Sequence, residues 1–227
     1  MRRGLVILAA AGLLWSGTAI AGTFSNFETQ LRNAYGDYRV ALFATNSGDA
    51  SKAAAALAKF DAEWAQLAGQ PAPPQYEDDS RFAETMRVVG DLSRKASDEV
   101  GAGALPKAHE TLEKVRDEIG EMHLRAGLYT VSDRMNAYHR QMERVIGNKA
   151  IDARGAGEGA AVLSFLIDDI IAHPPVPADP AFQALAADAR ASVDKLKSAA
   201  QAGDMAAISA AITGLKPAYS KLFLKFG

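Results

Sequence analysis

The chain has 227 residues, no cysteine, and 25 Lys and Arg against 27 Asp and Glu. This length suits one or two ordinary domains, each with its own core. The absence of cysteine excludes disulfides, thiolate metal sites and covalent haem attachment through C-x-x-C-H. The near-neutral balance, without any basic block, argues against nucleic acid or an anionic membrane surface as a partner.

The N-terminus, "MRRGLVILAAAGLLWSGTAIAG", has a basic start at Arg2 and Arg3, an apolar run from Leu5 to Leu14, and small residues at Ala19 and Ala21. This three-part layout predicts a secretory signal peptide over residues 1–21, cleaved after Ala21. The apolar run is shorter than the roughly 20 residues of a membrane span. The expected location is therefore the bacterial periplasm, without membrane insertion after cleavage.

From there on the composition is that of helices, rich in alanine and poor in β-branched runs. Breaks follow at "TNSGDAS", "GQPAPPQYEDD", "VGAGALP", "GLYTVS", "GNKAIDARGAGEG", "HPPVPADP" and "QAGDMAA", and they leave eight segments of bundle-helix length. In the two Pro-rich stretches the prolines cannot continue a helix, so both read as loops. Gly127 suits the end of the fourth helix, and Thr130 or Ser132 suits the cap of the fifth.

The two halves repeat. Shifted by one hundred positions, residues Phe82 to Gly127 lie on Phe182 to Gly227 without a gap. The apolar seam of the fourth segment, Ala108, Leu112, Val115, Ile119, Met122 and Ala126, falls on Ile208, Ile212, Leu215, Tyr219, Leu222 and Phe226. Its alternation of four and three is the stripe of a bundle helix. The first helices match at a slightly different offset: Phe24, Phe27, Leu31, Tyr35, Tyr38 and Leu42 lie on Leu128, Val131, Met135, His139, Met142 and Ile146. The expected fold is all-α, with two tandem antiparallel four-helix bundles spanning 22–127 and 128–227.

The first unit resembles the soluble b-type four-helix cytochromes of bacterial periplasms. The resemblance runs from "NFETQL" through "PPQYEDD" to "AHETLEKVRDEIGEMHLRAG". It implies a haem b held between a methionine on the first helix and a histidine near the end of the fourth. His123 falls on the histidine position, but Phe27 stands at the methionine position and cannot bind iron. In the second unit Val131 and Phe223 occupy the matching places.

A second candidate is the stripe Met135, His139 and Met142, spaced four and three residues apart on the fifth helix. Thioether and imidazole ligands suit Cu(I). A core seam of the same residues is the other reading, because methionine fills gaps well. A di-iron site is excluded, since no pair of Glu-x-x-His motifs occurs at matching places. No G-x-S-x-G, H-E-x-x-H, P-loop or dinucleotide fingerprint is present, so an enzyme is not expected. The sequence thus leaves three readings of an exported helical protein. It binds haem through His123, or it binds copper through the Met/His stripe, or it is a cofactor-free structural module with a periplasmic protein partner. It carries no sign of the oligomeric state.

Overall fold

The computed structural model describes residues 17–175 and 179–227. Most of the expected signal peptide, residues 1–16, lies outside the described residues. Among these the chain is all-helical, as expected: α1 (Gly17–Ser47), α2 (Ala50–Ala68), α3 (Phe82–Gly101), α4 (Leu105–Arg125), α5 (Val131–Gly147), α6 (Ala153–Ala172), α7 (Pro180–Ala202) and α8 (Met205–Phe226). A single 3₁₀ turn, Pro74–Tyr76, lies in the first Pro-rich loop. No described helix is long and apolar enough to cross a membrane.

Five of the helix starts are set by short polar side chains that satisfy otherwise unpaired N–H groups. Asp49, Asp152, Asp179 and Asp204 cap α2, α6, α7 and α8. Thr130 caps α5 in a reciprocal box with Asp133. Gly103 and Gly203, one hundred positions apart, both take left-handed backbone angles (φ 73° and 68°) just after a helix, where a Cβ would be strained.

Buried apolar residues form two clusters. One is built by α1 to α4 and the other by α5 to α8. In the first, α1 packs on α2, α2 on α3, α3 on α4 and α4 back on α1; α5 to α8 close a ring in the same way. The closing helices bury the periodic seam: Ala108, Leu112, Val115, Ile119 and Met122 in the first cluster, Ile208, Leu215, Tyr219 and Leu222 in the second. In each cluster a buried tyrosine ties the first helix to the closing one. Tyr38 donates to the Leu112 carbonyl at 2.9 Å, and Tyr219 donates to the Met135 carbonyl at 2.9 Å. Without those acceptors, two phenol hydroxyls would be desolvated for nothing.

The α5 register departs from the expected one. Tyr138, fully buried, fills the inner stripe between Met135 and Met142, and His139 lies on its flank, half-buried. Neighbouring helix positions point about 100° apart, so only one of the two can face the core. The phenol ring buries more apolar surface and stacks on Tyr219 with centroids 5.1 Å apart. The imidazole instead finds polar partners at the edge.

The two clusters meet along α1, α4, α5 and α8. Phe223 packs against both. Arg39, on α1, donates from Nε to the Leu224 carbonyl at 3.3 Å and from Nη2 to the Lys225 carbonyl at 3.4 Å. It thus supplies hydrogen bonds and positive charge to carbonyls that a helix C-terminus leaves open.

Candidate functional site

The junction between the cores holds a cleft of about 300 Å³. Helical spacing builds its walls. Glu28, Leu31, Arg32 and Tyr35 share one face of α1, Ile119 and His123 share one face of α4, and Thr130, Asp133 and Asn136 come from the start of α5. His173 and the prolines after it stand at the rim.

His123 is the centre of this cleft and only 4% exposed. Its Nδ1 lies 2.9 and 3.1 Å from the two oxygens of Asp133, which is itself 6% exposed. Asp133 also accepts the Thr130 N–H at 2.8 Å and the Thr130 hydroxyl at 2.7 Å. A carboxylate receiving these bonds only accepts, so Nδ1 of His123 carries a proton. Burial works against a charged ring, but the hydrogen bond and charge of Asp133, with the charge of Glu28, outweigh it and raise the His123 pKa. With Asp133 at Nδ1 and the Glu28 carboxylate on the Nε2 side, the surroundings favour a proton on both ring nitrogens.

Glu28 lies on the other side, its Oε2 3.9 Å from His123 Nε2, too far for a hydrogen bond. Its Oε1 accepts from the Tyr76 hydroxyl at 2.8 Å. Burial raises its pKa, offset in part by His123 and by the Tyr76 bond. Asn136 donates Nδ2 to the Tyr35 hydroxyl at 3.1 Å. Burial pushes the Tyr35 phenol up to about 12, so it keeps a proton to donate. Two polar atoms of the residues lining this cleft are left over: His123 Nε2 and Asn136 Oδ1 are buried with no hydrogen-bond partner.

A smaller crevice lies further along the same junction, lined by His109, Glu113, Arg116, His139 and Met142 among others. Here His139 Nδ1 is 3.1 Å from Arg116 Nη1, and Nε2 is 3.5 Å from Glu143. A guanidinium can only donate, so Nδ1 accepts and the ring proton sits on Nε2. The hydrogen bond from His139 and the Lys216 ammonium hold the Glu143 carboxyl at about 2, against the opposing effect of burial. His109 is held by Thr45 and the Leu42 carbonyl, and burial lowers its pKa. All four histidines of the chain therefore border one or other crevice of this junction.

The candidate ligands from the sequence fall in different places. Met135 and Met142 are fully buried in the second core. His139 shares its crevice with Met142 but not with Met135, and the lone pair that would receive Cu(I) faces the Arg116 cation. Among the described residues no three His, Asp or Glu side chains converge as a metal site would require.

The first core likewise does not fit haem. Phe27 is 1% exposed and lies against Tyr76 and Phe82, with ring centroids 5.7 and 5.8 Å away. His123 is turned out of that core onto Asp133, and its neighbour Met122 is buried within it. A porphyrin would have to displace the aromatic cluster.

Glu28, Tyr35, Asp133 and Asn136 were not singled out by the sequence reading. One signal was available for two of them: Thr130 and Asp133 have capping-box spacing, and Asn136 follows on the same flank of α5. The chain matches no protein-family model, no curated protein and no solved structure.

Proposed function

We propose that the protein is an exported, cofactor-free binding module of the periplasm. Two tandem four-helix bundles, residues 22–127 and 128–227 after a signal peptide, work in it as one rigid body. The unit repeats a cytochrome-like fold in which the haem space has been taken by side chains, and its role is binding, not catalysis.

The observation that carries this reading is the polar junction. His123 with Asp133, Tyr35 with Asn136, and Arg39 with the carbonyls at the end of α8 all bridge the two cores, and all five of these side chains are buried. Buried polar pairs of this kind fix one arrangement of the packed surfaces, because any sliding leaves a desolvated group unpaired.

Protein purified from its native host, examined by absorption spectroscopy and metal analysis, tests the proposal. The expected result is a folded, colourless protein without a Soret band and without copper. Haem or copper in near-stoichiometric amount would overturn it.

A further inference from the structure

The larger cleft has the chemistry of a ligand site. Its two partnerless atoms, His123 Nε2 and Asn136 Oδ1, belong to side chains each 4% exposed, and both line the same 300 Å³ space. Leaving a buried polar group unpaired costs about 1–3 kcal/mol. Two such groups border one cleft, Nε2 of His123 on α4 as a donor turned toward the Glu28 carboxylate and Oδ1 of Asn136 on α5 as an acceptor, and together they fit a molecule that offers both.

The charges of the walls narrow the class. Glu28 and Asp133 contribute two carboxylates, and His123 and Arg32 contribute two cations, so the cleft is balanced. A simple anion would meet Glu28, and a simple cation would meet His123 and Arg32. Asp133 is already occupied by Thr130 and His123. The groups left without a partner are therefore Glu28 Oε2 and Asn136 Oδ1 on the accepting side, and His123 Nε2–H and the Tyr35 hydroxyl proton on the donating side. Glu28 and His123 stand 3.9 Å apart without bonding each other, so a ligand with both charges can bond each of them. Leu31 and Ile119 add an apolar wall. The volume lies at the small end of the range for ligand sites, about 300–1,000 Å³.

We propose that this cleft binds a small zwitterionic amino acid with an aliphatic side chain. Its ammonium group bonds Glu28 and Asn136 Oδ1, its carboxylate bonds His123 Nε2–H and the Tyr35 hydroxyl, and its side chain lies against Leu31 and Ile119. The inference rests on the reading of the protein as a binding module and names the ligand of that module.

Isothermal titration of the protein with glycine, L-alanine, L-valine and L-leucine tests it, with propionate, propylamine and glucose as matched single-charge and neutral probes. The expected result is one-to-one binding of at least one of the amino acids and no comparable binding of the three probes. Glu28→Gln keeps the bond from Tyr76 but removes the negative charge, and Asn136→Ala removes the acceptor. Each is expected to weaken binding about tenfold or more, as loss of a charge-assisted or buried hydrogen bond does. Circular dichroism of each variant should match the parent. A folded protein that binds none of the amino acids, probes that bind as tightly as the amino acids, or folded variants that bind as the parent does would each overturn the proposal. If such a protein is also colourless and metal-free, the binding-module reading survives; a Soret band would remove that reading as well.

Discussion

Replacing Asp133 with alanine is expected to destabilise the protein by about 3–5 kcal/mol, the cost of removing one partner of a buried ion pair. Asp133 has two duties in one buried position: it completes the capping box of α5 and it holds His123 across the junction. Loss of the box alone accounts for about 1 kcal/mol. The remainder comes from a buried imidazole left without its strongest partner. The effect also has a pH signature. The His123 pKa is raised in the folded protein, so its contribution is complete below the unfolded value of about 6.5 and is lost as pH rises through the folded value. Glu28, whose folded pKa is also raised, contributes with the same sign but in the acidic range. Urea unfolding of the parent should therefore show stability falling from pH 6 into the alkaline range, and Asp133→Ala should flatten that decline. Equal slopes in parent and variant would show that the pair does not hold the junction.

Phe27→Ala is expected to cost about 3–5 kcal/mol, as large-to-small changes of buried aromatics do. The ring is closed in by Tyr76 and Phe82, so the space left behind cannot collapse easily. Phe27→Met is the more informative change, because it restores the side chain that the resemblance to b-type cytochromes would place there. It keeps apolar volume but gives up two aromatic contacts, each worth about 0.5–1.5 kcal/mol, so a loss of about 1–3 kcal/mol is expected. It should add no haem affinity in a titration followed by absorption. Tyr76 and Phe82 still occupy the core, and His123 still faces Asp133. A Soret band in Phe27→Met would mean that the aromatic cluster yields to a porphyrin.

Periodicity made much of the architecture legible. The seams of α4 and α8 alternate four and three, and the structure buries most of them in separate clusters. Gly103 and Gly203, and the Thr130 cap, were readable because their chemistry is local. The α5 stripe was harder. Tyr138 and His139 are adjacent, and spacing alone does not say which of the two faces inward. Least legible was the junction itself. Tyr35 and Asn136 are 101 positions apart, and Arg39 meets carbonyls 185 and 186 positions away. A pattern of apolar residues locates the cores, but carries no information about which polar side chains pair where two cores meet. His123 was found by resemblance as a candidate ligand, and its direction, out of the core and onto α5, depends on a partner ten residues further on.

The proposed rigid pairing of the two bundles has its own thermodynamic mark. Differential scanning calorimetry of the ligand-free protein near pH 6 should give a single unfolding transition, with calorimetric and van't Hoff enthalpies in agreement, because neither core can unfold without stripping the buried junction groups of the other. Two resolved transitions, one for each four-helix half, would contradict this and reduce the junction to a contact between independent domains.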